Sequence, residues 1–134
     1  MSYNSDMVIE NYFECLEEVE KYIREHIHEP LNREILAEVA GFSVPHFHRI
    51  FTAQRGENIA SYVRRVRLER AGRKLRMGAV DITEVALAAG YDTHAAFSKA
   101  FKQQFDLSPS EFRQLDCRTA TQVLRNSAAA KYRS

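Results

Sequence analysis

Two short stretches decide the reading: Ala37-Glu38-Val39-Ala40-Gly41-Phe42 and Ala86-Leu87-Ala88-Ala89-Gly90-Tyr91. Each is followed by two phenylalanines on a four-residue step. Phe47-His48-Arg49-Ile50-Phe51 is echoed by Phe97-Ser98-Lys99-Ala100-Phe101, with one extra residue in the second turn. Self-similarity of this kind marks a repeated supersecondary unit. Glycine ends a helix cheaply because it takes left-handed angles without a Cβ clash. Alanines before it let two helices approach closely, and aromatics four apart share one helix face. Each copy therefore reads as helix, short glycine turn, helix, the helix-turn-helix layout. That layout is a shape before it is a function, and a helical hairpin built for packing or protein contact has the same pattern.

The flanks are helical too. Over residues 6–28, Ile9, Phe13, Leu16, Val19, Ile23 and Ile27 recur at three- and four-residue steps, which predicts an amphipathic helix ended by Glu29-Pro30. Asn32 is placed to cap the helix with Ile35, Leu36, Val39 and Ala40, and Ser43 to cap the next. A long helix over residues 58–77 carries Ile59, Val63, Val66, Ala71 and Leu75 on its apolar side, and Gly78 stops it. Asp81 with Glu84 and Ser108 with Glu111 have capping-box spacing, and Pro109 suits a first helical position. Residues from about 118 are rich in Ala, Ser and Thr and read as a frayed helix or a linker. The expected fold is all-α, with about seven helices and two helix-turn-helix subdomains joined by a long linker helix. Its parts are an N-terminal helix (1–30), a first helix-turn-helix (31–55), a basic linker helix (56–78), a second helix-turn-helix with a closing helix (79–115), and a tail or linker (116–134).

The chain has 134 residues and is 45% hydrophobic, enough for one ordinary domain or two very small ones. Five glycines and three prolines, without long apolar–polar alternation, favour helices over strands. No apolar run approaches a bilayer span, and the acidic start does not read as a secretory signal. Cys15 and Cys117 lie far apart in no metal or redox spacing, which fits the cytoplasm. His26/His28 and His46/His48 are two apart, so each pair diverges on a helix and makes a poor metal site. No catalytic residue, metal or cofactor is expected.

The formal net charge of +1 hides an uneven distribution. Glu10, Glu14, Glu17, Glu18, Glu20 and Glu25 crowd the first helix, whereas Arg64, Arg65, Arg67, Arg70, Arg73, Lys74 and Arg76 crowd the long one. A basic middle segment is what a polyanion meets. If Phe47 and Phe51 face inward, Val44, Pro45, His48 and Arg49 fall outward; in the second copy His94, Ala95, Ser98 and Lys99 do. Arginine and histidine donate to base edges, and alanines meet thymine methyls. The helix starts at Ser43, Thr93 and Ser108 would offer free N–H groups to phosphates. These features point to double-stranded DNA as the partner. A protein-interaction module, touching RNA polymerase for instance, is the alternative that stays open.

The residues resemble the AraC/XylS family of bacterial transcription regulators. The resemblance rests on Leu36 through Ser43, His46 through Phe51, Arg67 with Ala71 and Leu75, Ile82 through Ala86, Ala89-Gly90-Tyr91, Ala96 through Lys102 and Phe105 through Arg113. It implies two helix-turn-helix units, each setting its second helix in the major groove. By position, it implies base contacts from Pro45, His48 and Arg49 and from His94, Ala95, Ala96 and Lys99. It implies phosphate contacts from Arg64, Thr93, Pro109 and Ser110, and we read His46 as having a packing or backbone role. Asp106 stands where the family usually has glycine, so a left-handed aspartate and a small local cost are expected. The string His46 through Phe51 resembles members with a C-terminal small-molecule domain. That effector domain is absent from this chain, and the expectation is either a piece of a larger regulator, the favoured alternative, or a protein that works without an effector domain.

Overall fold

The computed structural model describes the backbone of residues 5–78 and 80–133 and the side chains of residues 12–78 and 80–127. Among these residues there are eight helices and no strand: α1 (Ser5–Glu25), α2 (Arg33–Ala40), α3 (Val44–Arg55), α4 (Ile59–Leu75), α5 (Ile82–Ala88), α6 (His94–Phe105), α7 (Pro109–Arg113) and α8 (Cys117–Arg133). The chain forms two compact units, residues 1–63 and 64–134, so the boundary falls within α4.

In the first unit α1, α2 and α3 pack against one another. Leu16, Val19 and Ile23 of α1, Leu36 of α2, and Phe47 and Phe51 of α3 are fully buried. The three- and four-residue step fixed this face, with one exception. Phe13 is 48% exposed, and its ring lies under the Arg55 guanidinium at 5.8 Å. The Ile9 side chain lies outside the described residues. Asn32 caps α2 by accepting from the Ile35 N–H at 2.9 Å. Glu20 ties α1 to the end of α3 and the start of α4, accepting from Arg55 at 2.5 Å and from the Tyr62 hydroxyl at 2.7 Å.

In the second unit Leu68, Ala71 and Leu75 of α4, Val85 and Ala86 of α5, Phe97, Phe101 and Phe105 of α6, and Phe112 of α7 form one core. Phe101 meets Phe112 edge to face at 5.4 Å, a favoured aromatic geometry. The box at Ser108 is complete, with Ser108 Oγ accepting from Glu111 N–H and Glu111 accepting from Ser108 N–H. The expected box at Asp81 is only half made: Asp81 accepts from Thr83 N–H, and no return bond from Glu84 is formed.

One expectation about the long helix is corrected, and of the two readings of the tail the helical one is formed. On α4 the buried positions include Tyr62, Arg65 and Leu68, while Val66 is only half-buried. Arg65 is neutralised one turn on by Glu69 at 2.8 Å. The tail is a helix rather than a linker. Ala120 of α8 enters the second core, Val123 and Leu124 pack on it, and Gln104 donates to Ser127 Oγ at 2.6 Å. Gly72 makes room for this: a Cβ there would stand 3.3 Å from Phe112 and 3.5 Å from Leu124.

Candidate nucleic-acid interface

The two glycine turns repeat at the level of single hydrogen bonds. Gly41 and Gly90 take φ of 78° and 95°, angles that an L side chain rarely adopts. Past them the Phe42 N–H reaches Ala37 O, and the Tyr91 N–H reaches Ala86 O, each at 3.0 Å. These bonds satisfy carbonyls left open at a helix end and aim the next helix. The phenylalanine pairs repeat too. Phe47 and Phe51 rings are 5.9 Å apart, Phe97 and Phe101 rings 5.7 Å apart, and all four are fully buried. Burial of that face determines which residues of α3 and α6 meet solvent.

On α3, Pro45 and Arg49 are exposed. His48 is only half-buried, not fully outward, and its Nδ1 is sealed without a hydrogen-bond partner among the described residues. His46 is a packing residue as expected, with its ring 4.9 Å from Phe42 and 6.0 Å from Tyr12. Ser43 stands at the cap position of α3 and is exposed, but its side chain makes no capping hydrogen bond. Its hydroxyl is free for another acceptor or donor.

On α6, His94, Ala95, Ala96 and Lys99 are all exposed, and Ser98 is half-buried. Thr93 caps the helix by accepting from Ala96 N–H at 3.0 Å, which leaves other first-turn N–H groups pointing outward. Arg64 is exposed and lies close enough to the half-buried Tyr91 to act on its charge. Burial raises the Tyr91 pKa above that of a free phenol, and Arg64 and Arg67 partly offset the rise. Ser110 is exposed on α7, but Pro109 is buried. Buried in the first turn of α7, the Pro109 ring is not presented to a phosphate at the surface.

The repeat step carries the exposed strips further than the sequence reading did. Thr52 continues the strip of α3 beyond Arg49, and Lys102 continues that of α6 beyond Lys99. The signal was the same three-residue step that places Arg49 and Lys99 outward. Among the described residues no group of three His, Cys, Asp or Glu side chains is placed to hold a metal ion, and no helix is long and apolar enough to cross a membrane.

Two like units, each presenting the outer face of its second helix, define the helix-turn-helix class of transcription regulator. A family profile described as a helix-turn-helix domain matches residues 36–115, more than half of the chain. The regulatory protein SoxS of Escherichia coli (strain K12) is 35% identical over 92 residues, covering 69% of this chain and 86% of SoxS. A probable AraC family transcriptional regulator from Rhodopseudomonas palustris superposes with a TM-score of 0.67 at 29% identity, covering 75% of this chain and 95% of that one. The DNA-binding domain of AdpA, solved in complex with a target DNA, superposes with a TM-score of 0.65 at 30% identity, covering 74% of this chain and 89% of that one. The chain belongs to the AraC-type family of helix-turn-helix transcription regulators. It spans about a third of the length of other curated relatives that it matches.

Proposed function

We propose that the chain binds double-stranded DNA sequence-specifically, with α3 and α6 each reading a major-groove segment, and so regulates transcription. The observation that carries this is the matched pair of helices. In each, buried phenylalanines turn a short strip of donors and small apolar groups outward. Arg49 has the planar fork that suits guanine O6 and N7, and Lys99 is a single-point donor. Ala95 and Ala96 suit thymine methyl groups. Pro45, His48 and His94 complete the two reading faces. Ser43, Arg64, Thr93 and Ser110 are assigned to phosphates, where they fix register without reading sequence. Thr52 and Lys102 join them as candidates.

The reading needs no cofactor and no chemistry on the DNA, so the chain is a binding protein rather than an enzyme. Its partner is duplex DNA and its compartment the cytoplasm. RNA polymerase contact would be additional to this activity. Selection of bound sequences from random duplex DNA tests the proposal. The expected result is one enriched site with two conserved segments, bound less tightly as salt rises. Failure to enrich any sequence, together with salt-independent binding, would reject it.

A further inference from the structure

In the second unit the C-terminal half of α4 and the N-terminal half of α8 enclose a groove of about 510 Å³. Ala120 and Leu124 give it an apolar wall, Arg73, Arg76 and Arg125 give it charge, and Cys117 opens onto it. Arg76 is held in place: it donates to Phe112 O at 3.2 Å and lies over the Phe112 ring. Arg73 and Arg125 are exposed, and neither has a carboxylate partner among the described residues. Glu69 also lines the groove, but Arg65 engages its carboxylate at 2.8 Å. Among the lining residues three guanidinium groups therefore face one carboxylate, which is already paired, while the Asp116 carboxylate next to Cys117 in the chain also acts on Arg76.

We propose that this groove binds a small organic anion, a carboxylate or phosphate monoester carried on an apolar body. Guanidinium forks match both acid groups, and the apolar wall accepts the body. The volume lies within the range of small-molecule sites, roughly 300–1,000 Å³. The α8 wall lies beyond residues 36–115, the part matched by the family profile, and none of the residues assigned to DNA lines the groove. Arg73 and Arg76 also belong to the basic middle segment of the chain, so random duplex DNA serves as a control that separates this site from the DNA reading.

Cys117 supplies a local reporter, and the half-buried Cys15 an internal reference in the other unit. The experiment follows alkylation of both thiols in the full chain by iodoacetamide, using mass spectrometry. The probes are 1-naphthyl phosphate, 1-naphthol and inorganic phosphate, each at millimolar concentration. The expected result is that 1-naphthyl phosphate slows Cys117 alkylation about fivefold and leaves Cys15 unchanged, as occupancy of most of the site requires. The other two probes should protect far less. An Arg73→Gln/Arg125→Gln double variant should lose the protection while keeping its helical circular dichroism, because both side chains are exposed. Protection by naphthol equal to that by the phosphate ester would leave only an apolar crevice and overturn the proposal. Equal protection by inorganic phosphate, or persistence in the double variant, would overturn it as well. So would the absence of any protection. Protection of Cys117 by random duplex DNA would assign the groove to the nucleic-acid path instead.

Discussion

Glu20 accepts a hydrogen bond from Arg55 at 2.5 Å, with 17% and 14% of the two side chains exposed. The pair links α1 to the end of the helix that carries Arg49. Glu20 also accepts from the Tyr62 hydroxyl, so one carboxylate satisfies two donors. Removing one partner of a largely buried pair leaves the other charge without compensation. Glu20→Ala should cost about 2–4 kcal/mol in urea unfolding, more than an exposed ion pair contributes. Glu20→Gln, which keeps an acceptor, should cost less. Equal losses for both would show that the charge carries the whole effect and that a neutral acceptor at this position contributes nothing.

Asp106 closes α6 at φ 63°, the one non-glycine residue with a positive φ among those described. Aspartate tolerates this region better than most residues, but not as well as glycine. Glycine loses more chain entropy on folding, which offsets part of the gain. Asp106→Gly should therefore stabilise the protein by about 0.5–1 kcal/mol, and Asp106→Val should destabilise it. A thermal unfolding series over the three side chains checks the order.

Glu111 carries an acid-sensitive cap. Its hydrogen bonds with Ser108 hold its pKa below the usual glutamate range, and Lys102 adds a small effect in the same direction. A carboxyl whose pKa is lowered on folding stabilises the native state above its unfolded pKa. That contribution fades as pH falls through the folded pKa. The capping box should therefore be intact at neutral pH and fail on acidification below the ordinary carboxylate range. Glu111→Gln should flatten the acid limb of a stability–pH curve. An unchanged limb would mean that the cap contributes nothing in solution.

The elements that were legible in the sequence are those set by local spacing. The glycine turns, the phenylalanine pairs and the Asn32 and Ser108 caps all depend on neighbours within a few residues, whereas the left-handed Asp106 was legible only through the family resemblance. The exposed strips of α3 and α6 followed from the same spacing, so Arg49, Lys99, Ala95 and His94 were found at the surface. What was missed depends on contacts from far along the chain. Phe13 reads as a core residue until Arg55 is seen beside it. Pro109 reads as a helix opener, which it is, but its burial is decided by the core it meets. His48 sits on the predicted outward side, yet one of its ring nitrogens is sealed. On α4 the residues switch from one unit's core to the other's at Val63 and Arg64, and a single apolar stripe cannot describe that. Nothing in the composition of residues 117–133 announces that Ala120 is a core residue.

Docking of α8 is therefore worth a direct measurement. Phe112 is fully buried between α6 and α4, and truncating it to alanine should cost about 3–5 kcal/mol. Leu124 is half-buried and would touch a Cβ at Gly72. Leu124→Ala should cost about 1–2 kcal/mol, less than a fully buried leucine because part of the side chain stays wet. Gly72→Ala should gain less than the roughly 1 kcal/mol that alanine brings to a helix interior, since its methyl meets the Phe112 ring at 3.3 Å, closer than ordinary contact. If Leu124→Ala is silent while Phe112→Ala is costly, α8 is not held against this core in solution.

Arg49 and Arg64 should fail in different ways when each is replaced by alanine. Both are exposed, so neither change should alter stability beyond about 0.5 kcal/mol. Arg49 stands exposed on the outward strip of α3, where the proposed function sets its fork against base edges. Its loss should weaken binding to the selected site by about 1–3 kcal/mol and leave random DNA nearly unaffected. Arg64 lies on α4 near Tyr91, off both reading strips. The proposed function assigns that guanidinium to phosphate, so its loss should weaken binding to selected and random duplexes alike. Each phosphate contact removed also releases fewer counterions, and the slope of log affinity against log salt should flatten by about 0.9. Titrations of both variants on both duplexes at several salt concentrations separate the two roles. A uniform loss for Arg49→Ala would move it to the phosphate group, and an unchanged salt slope for Arg64→Ala would take it off the DNA altogether.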